Sequence, residues 1–488
     1  MGYDTWRLFE KNDCLIFSVV KGMEYSILEV RGSGGPSTEP LHIATTLVAG
    51  KVMYSPESRT LQQCKSEIDS FYEEGKWDDY KKITNPYEYI FLSWNRRSSR
   101  SVATRQPLSR SYFKMIELWK CLDLTEYLKP LIEKSAGLLT AHAAEGPGGF
   151  IEACTVIAEA NSWDYKAAYA ITLRSEAKNV PGWRKATRFL AANPQIHIHD
   201  GADGTGNILL VANQEKYVAD VRAEYPDGIH LFTADGGFDF SNDYNSQEDT
   251  VFPLLLAEAI LGLRVLAKGG CLIIKCFDTM EQPTIDLIWL LSRAFCEWGL
   301  VKPRTSRAGN AERYIIGRGF LGDIDDILDV LTQYQAHAQF KYPILKPVTS
   351  AGYRTLTAQV AALQEKIEHM EIKVIQETLD LIKSTDRDVI HRLVRSNVVR
   401  SIQWCREHRE DISQTWVVEL DKNVLSETTD LIHILRPPSN TISYSYNNWN
   451  HRSTINLSFD GFRTGEILTP PVTNNPFVRL KGTKFRPA

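Results

Sequence analysis

Between residues 138 and 320, short and almost wholly apolar runs alternate with longer stretches in which apolar residues recur every three or four positions. The runs Leu138 to Ala143, Ala167 to Leu173, Gln195 to His199, Ile229 to Ala234, Cys271 to Cys276, Leu300 to Lys302 and Arg313 to Gly317 predict strands. Phe150 to Ala160 and Asp249 to Leu266 predict helices between them. Strands that are apolar on both faces and separated by helices imply a parallel sheet covered on both sides, so this region reads as α/β. Ligands of such sheets bind beyond the carboxyl ends of the strands, which is where Glu145, Asp203, Asp235 and Lys275 fall.

The flanks follow other patterns. Residues 1–95 mix short strand-like runs (Cys14 to Val20, Tyr25 to Val30, His42 to Val48) with a polar helical stretch from Leu61 to Glu74, predicting an α+β accessory region. Beyond residue 330 the alternation stops. Leu356, Val360, Leu363, Ile367, Met370 and Val374 recur at three- and four-residue intervals, and a second helical run spans Asp388 to His408. A helical hairpin is the simpler reading of this pair, with a dimerising coiled coil as the alternative. The last stretch predicts loops and short strands carrying Tyr444, Tyr446 and Trp449, then a basic tail of Arg479, Lys481, Lys484 and Arg486. The organisation expected is therefore an accessory region at 1–95, an α/β domain at 96–330 and a helical and mixed region at 331–488.

Composition narrows the classes. With 488 residues, 43% of them hydrophobic, the chain has material for two or three cores and is not a disordered polymer. A net charge of -4 excludes a chain that is basic all over, so nucleic-acid binding has to come from local patches. The eight cysteines form no C-x-x-C pair and no N-terminal segment reads as a signal peptide, so reduced thiols in the cytoplasm or nucleus are expected. No apolar run reaches the roughly 20 residues of a membrane span. The run from Thr250 to Leu266 is interrupted by Pro253, Glu258 and Arg264.

Four stretches carry candidate chemistry. Arg96, Arg97, Arg100, Arg105 and Arg110 sit in a Ser-rich segment with no acidic residue until Glu117, suited to following the phosphates of a nucleic-acid strand or to a solvated linker. The next segment spaces Tyr112, Met115, Ile116 and Trp119 as an amphipathic helix with Lys114 on its flank. The turn Glu145 to Phe150, EGPGGF, follows a strand and opens a helix. It has neither the G-x-G-x-x-G order of a dinucleotide loop nor the G-K-[ST] ending of a P-loop, and suits an adenosyl ligand passing close to main chain. Finally, Asp235 and Lys275 end apolar strands and Glu312 begins one. Singly these read as a capping aspartate, a snorkelling lysine and a surface glutamate, yet the sheet brings them to one edge.

The segments SRSYFKMIE, EGPGGF, TADGGFD, LIIKCFD and KPRTSRAGNAERYIIGRGF occur in the order found in FtsJ/RrmJ-type ribose 2'-O-methyltransferases. Over about residues 105–320 the chain resembles that family, and within it the cap-specific mRNA members and the FtsJ-like proteins of large DNA viruses. The resemblance implies a Rossmann-like class I methyltransferase sheet, S-adenosyl-L-methionine as cofactor, and a Lys-Asp-Lys-Glu tetrad at Lys114, Asp235, Lys275 and Glu312. It also implies cofactor contacts at Glu145, Gly146, Pro147, Gly148, Gly149, Phe150, Asp203 (to adenine) and Asp235. The expected substrate is RNA, by preference the 5' cap-proximal nucleotide of mRNA, held by Arg96, Arg97, Arg100, Arg105, Arg110 and Phe238, with Phe240 and Tyr244 nearby. A ribosomal or transfer RNA target and a non-catalytic RNA-binding scaffold are the alternatives. A ribose hydroxyl is a weak acid, so Lys275 is expected to have a lowered pKa and act as base, steered by Asp235 and Glu312. No metal is required, and His197 and His199 lack a third ligand. Two positions depart from the family: His142 stands at an acidic position ending the first strand, and Thr172 or Glu176 replaces the ribose-binding acid. Homo-oligomers, or a larger capping or virion assembly, are expected through the C-terminal region, with a cytoplasmic setting, a virus factory or virion for a viral protein, or the nucleus.

Overall fold

The computed structural model describes residues 28–36, 40–44, 56–72, 76–92, 101–175, 180–237, 247–336 and 342–413, and the backbone of 441–447 and 452–458. The chain begins with β1 (Leu28–Ser33), α1 (Pro56–Tyr72), α2 (Lys76–Thr84) and a 3-10 turn at Glu88–Ile90. Two helices, α3 (Ser111–Cys121) and α4 (Leu124–Ser135), lead into the alternating region. That region runs β2 (Leu138–Ala143), α5 (Gly149–Ala160), β3 (Tyr165–Ile171), α6 (Thr187–Ala192), β4 (Ile196–His199), α7 (Val211–Glu224), β5 (Ile229–Ala234), α8 (Gln247–Val265), β6 (Leu266–Cys276), α9 (Gln282–Ala294), β7 (Phe295–Lys302) and β8 (Arg313–Phe320). There follow α10 (Asp325–Ala336), α11 (Ala351–Ser384), α12 (Arg387–Glu407) and a separate antiparallel pair, β9 (Thr441–Asn447) with β10 (Arg452–Ser458).

One sheet takes the strands in the order β1-β7-β8-β6-β5-β2-β3-β4. From β4 to β6 all pairings are parallel, whereas β8 is antiparallel to β6 and β7, and β1 is antiparallel to β7. The wholly parallel sheet expected from the alternation is thus corrected at one side. The connection from Lys302 to Arg313 carries no helix, and strands joined without a crossover pair antiparallel. The chain leaves β2 toward β3 and β4 on one side and returns to β5 and β6 on the other, so the strand order reverses beside β2. This is the crevice where open α/β sheets bind ligands.

Alternation along the strands sorts the core onto two faces. Leu139, Ala141, Phe232, Leu272 and Ile274 point to α8, α9 and the first half of α11, while Leu138, Leu231, Ile273, Tyr314 and Ile316 point to α3, α5 and α12. The accessory segments are therefore part of the domain. β1 extends the sheet, and Tyr353, Leu356, Val360, Leu363 and Ile367 of α11 bury in the same core as the strands.

This placement alters the readings of the C-terminal region. α11 lies on α1, α2 and α9, while α12 lies on α2 and the 3-10 turn, so the two helices share α2 as a support instead of closing on each other as a hairpin. The apolar stripe proposed for a coiled coil is spent within the chain, and at Met370 it gives way to a buried Glu371. No helix among the described residues is long and apolar enough to cross a membrane.

Candidate catalytic site and cofactor crevice

Lys114 projects from α3, whose other side buries Tyr112, Phe113, Met115, Leu118 and Trp119. Its Nζ donates to Glu312 Oε2 at 2.8 Å and lies 2.7 Å from Oε1 as an ion pair. Glu312 immediately precedes β8, Lys275 lies opposite Tyr314 in the β6–β8 ladder, and residues two apart on a strand share a face. Glu312, Tyr314 and Lys275 therefore stand on the side of the sheet that α3 covers. Lys275 Nζ donates to the main-chain oxygen of Asp235 at 2.7 Å and lies 3.3 Å from its Oδ1. The Tyr314 hydroxyl donates to the same Oδ1 at 2.9 Å. The four predicted charges thus converge from α3, the end of β5, β6 and the start of β8.

Their electrostatics differ from the expectation in one respect. Burial acts to lower the Lys275 pKa, but the carboxylates of Asp235 and Glu312 outweigh it and hold the ammonium above an ordinary lysine. The lowered value expected from desolvation is corrected: two acids face this amine at short range, and attraction in a dry setting exceeds the desolvation cost. Burial likewise raises the Glu312 carboxyl, while Lys114 and Lys275 more than offset it and bring its pKa down to about 2.

The glycine turn begins where β2 ends. Gly148 adopts φ 104°, a left-handed value that side chains resist, and opens α5. A Cβ on Gly149 would stand 2.3 Å from Ser111 Oγ, so the absence of a side chain lets α5 close against the start of the Lys114 helix. Glu145 is buried and its carboxyl accepts from Thr233 Oγ1, with His142 Nδ1 3.1 Å away. His142 is fully buried, lies 2.7 Å from both Thr140 Oγ1 and Thr233 Oγ1, and is engaged inside the sheet, beneath the crevice. Burial pushes the Glu145 carboxyl up, opposed by His142. Pro147 and Phe150 complete the turn, Phe150 being buried against Tyr314 at 5.8 Å between ring centroids. Thr172 lies just beyond β3 and is buried, whereas Glu176 lies outside the described residues.

Asp203 is exposed on the loop after β4. Its Oδ1 accepts from the Thr205 amide at 2.9 Å, the Thr205 hydroxyl at 2.7 Å and Asn213 Nδ2 at 3.0 Å, so that oxygen shapes its own loop. His197 stacks on Tyr169 and His199 donates to Asp220 at 2.8 Å, which gives each imidazole a structural role. Glu57, Glu365 and His369 bring ligand atoms within 4.8 Å of one another, but on α1 and α11, away from the strand ends.

The RNA-contact expectations divide. Arg110 is a correction: it is largely buried, donates to Tyr87 O at 3.0 Å and pairs with Glu88 at 3.2 Å, because the buried Glu88 carboxylate requires cations and takes Arg307 at 3.0 Å as well. Arg105 keeps 42% of its side chain exposed, beside Glu410 at 3.8 Å and over the Tyr112 ring. Arg96, Arg97, Arg100, Phe238, Phe240, Tyr244 and Trp449 lie outside the described residues.

Three contributors escaped the sequence reading. Tyr314 could have been found as the residue two after Glu312 on the same strand. Glu88 was visible as an acid within an aromatic run. Lys302, fully enclosed, donates to the main-chain oxygen of Glu312 at 3.0 Å, and was signalled only by a lysine closing the apolar run of β7.

Residues 107–320 match the family described as FtsJ-like methyltransferase. The chain is 31% identical over 287 residues, 56% of this chain and 31% of the relative, to the cap-specific mRNA (nucleoside-2'-O-)-methyltransferase 1 of Xenopus laevis. To the protein of the same name from Drosophila melanogaster it is 32% identical over 172 residues, 35% of this chain and 21% of the relative. To the cap-specific mRNA (nucleoside-2'-O-)-methyltransferase 2 of Drosophila melanogaster it is 28% identical over 230 residues, 45% of this chain and 31% of the relative. The chain spans about a third or less of the length of these curated relatives. The matched span, which resembles the FtsJ-like methyltransferases, begins just before the Lys114 helix and ends with β8, enclosing all four converging charges.

Proposed function

We propose that the chain transfers a methyl group from S-adenosyl-L-methionine to a ribose 2'-hydroxyl of RNA, at the nucleotide next to the 5' cap of mRNA. The convergence of Lys114, Asp235, Lys275 and Glu312 at one edge of the sheet carries this reading. The crevice suits the cofactor in two respects. The turn at the end of β2 leaves the main chain at Gly146 partly exposed, and the Asp235 carboxylate stands at the end of β5, where a positive ligand is favoured. When bound, the cofactor supplies an electrophilic methyl on a cationic sulfur.

The remaining work falls to the side chains. Asp235 and Tyr314 fix Lys275 at the mouth of the crevice, and Glu312 holds Lys114 in place beside it. In the free protein Lys275 is an ammonium and cannot accept a proton at Nζ. The Asp235 carboxylate that holds Lys275 charged would be shared with a cationic ligand bound beside it, and Lys275 would then give up its proton more readily and could serve as the base. Holding hydroxyl and methyl in line contributes further, since positioning two reactants is worth roughly 7–11 kcal/mol. The cap-proximal target draws its support from the printed names of the relatives and from the length of chain outside the matched domain.

Nucleoside mass spectrometry after incubation with capped and uncapped transcripts tests the reading. A 2'-O-methylated nucleoside from capped RNA, absent with Lys275→Ala, is the expected result. Equal methylation of uncapped RNA removes the cap-proximal target. RNA binding without any methyl transfer favours a scaffold instead.

A further inference from the structure

Within the long apolar helix α8 one acid is out of place. Glu258 is 1% exposed, and among the described residues no side chain hydrogen-bonds to its carboxyl; the one donor turned toward it is the Gly236 main-chain amide. A buried carboxyl in that condition is costly, so it needs an explanation. It lies under the site: a Cβ built on Gly236 would stand 2.3 Å from Glu258 Oε1, and 2.9 Å from both Ala144 Cβ and Leu254 Cδ2. The carboxyl is therefore wedged at the seam where the ends of β2 and β5 meet, beneath the main chain that follows Asp235. Lys275 reaches that same segment from the opposite face of the sheet and donates to the Asp235 carbonyl at 2.7 Å.

We propose that Glu258 is a positioning residue of the methyl-transfer site: its carboxyl, pressed under Gly236, sets the height of the Asp235–Gly237 turn and with it the reach of Lys275. This rests on the function proposed above. Glu258 touches no reacting atom and acts through the turn. The charged groups facing it are Lys275 from β6, Asp235 from the end of β5 and Glu145 from the turn after β2. Burial foremost, then Asp235 and Glu145, push its pKa well above the usual carboxylate range, with Lys275 acting in the opposite sense. Burial thus favours the neutral acid over the carboxylate, and the amide isostere, neutral and of the same shape, should serve in its place. An apolar residue of similar volume fills the space without supporting the turn by a polar group.

Glu258→Gln and Glu258→Leu separate these roles. The Gln variant should keep kcat within about threefold of wild type, while the Leu variant should lose about tenfold or more in kcat at an unchanged KM for the cofactor. A second arm does not depend on activity: carbon-labelled lysines are titrated by NMR, with the Lys275 signal identified by its loss in Lys275→Arg. Its titration should shift in the Leu variant and stay in place in the Gln variant. Should the Leu variant not fold, thermal melts of wild type and Glu258→Gln decide. A carboxyl whose folded pKa is raised makes stability fall as pH rises through the interval above the unfolded value, so wild type should lose stability relative to Gln as pH rises above the ordinary carboxyl value of 4.5. Parallel melting curves, unaltered kcat and Lys275 titration in the Leu variant, or an equal loss in both variants would each overturn the proposal. A wild type that transfers no methyl defeats the enzymatic reading alone, because the NMR and melting arms still decide the role of Glu258.

Discussion

Two clusters of buried charge lie back to back across β8. On one face Glu312 meets Lys114, with Lys275 and Asp235 beyond it. On the other, Arg313 donates to Gln364 at 2.7 Å and lies 3.6 Å from Asp278, which Lys65 and Glu371 join from α1 and α11. Glu312 and Arg313 are sequence neighbours, and the two-residue period of a strand sends them to opposite sides. The clusters are similar in composition and differ in closure. The Lys114, Asp235, Lys275 and Glu312 side chains retain 9–13% exposure at the strand ends, whereas Arg313 and Glu371, at the heart of the other cluster, retain 0%, with Asp278 and Lys65 at its rim keeping 7–9%. A charged network that opens on a crevice can meet a ligand. One sealed under α11 can only hold accessory helices to the sheet.

The sealed cluster should respond first and most strongly in stability. Arg313→Met leaves Asp278 with less compensation and should cost about 3–5 kcal/mol, read as a lower urea midpoint, with methyl transfer per folded molecule little changed. A variant that kept its midpoint and lost transfer would erase the distinction between the faces.

Acid titration sharpens it further. The folded pKa of Glu312, about 2, lies below the ordinary 4.5, so its contribution is fully present above pH 4.5 and is lost as pH falls toward 2. Linkage puts the contribution at roughly 3 kcal/mol, and Glu312→Gln should flatten that part of the stability curve. A wild-type curve already flat over this interval would remove the ion pairing assigned to Glu312. The smallest effect is expected from Tyr314→Phe. One hydrogen bond to Asp235 is removed at a cost of about 1 kcal/mol, with transfer reduced about tenfold by a looser Lys275; unchanged transfer would show that Tyr314 does not steer the lysine.

Much of the open cluster was legible in the sequence because each member interrupts or ends an apolar run. Lys275 in CLIIKC and Asp235 after IHLFTA declare themselves by the cost of burying charge. The same logic applied to LLLAEAILGL points to Glu258, where helical periodicity had absorbed the acid as a mere break in a hydrophobic stretch. What one sequence could not convey was pairing between distant elements. Nothing local distinguishes Arg110, buried on Glu88, from Arg105, which stays exposed. Nor does the stripe of α11 reveal that it seats on a sheet and not on a second helix. The strand positions were set by apolar patterning, while the antiparallel β8 depended on the missing crossover after β7, a feature of connection length and not of composition.

The rate of methyl transfer to capped RNA, measured for Lys275→Met beside Arg313→Met at equal concentrations of folded protein, tests the contrast between the two faces most directly. The account predicts a fall of about a hundredfold or more for Lys275→Met and a near wild-type rate for Arg313→Met. Transfer by Lys275→Met at the wild-type rate would contradict it.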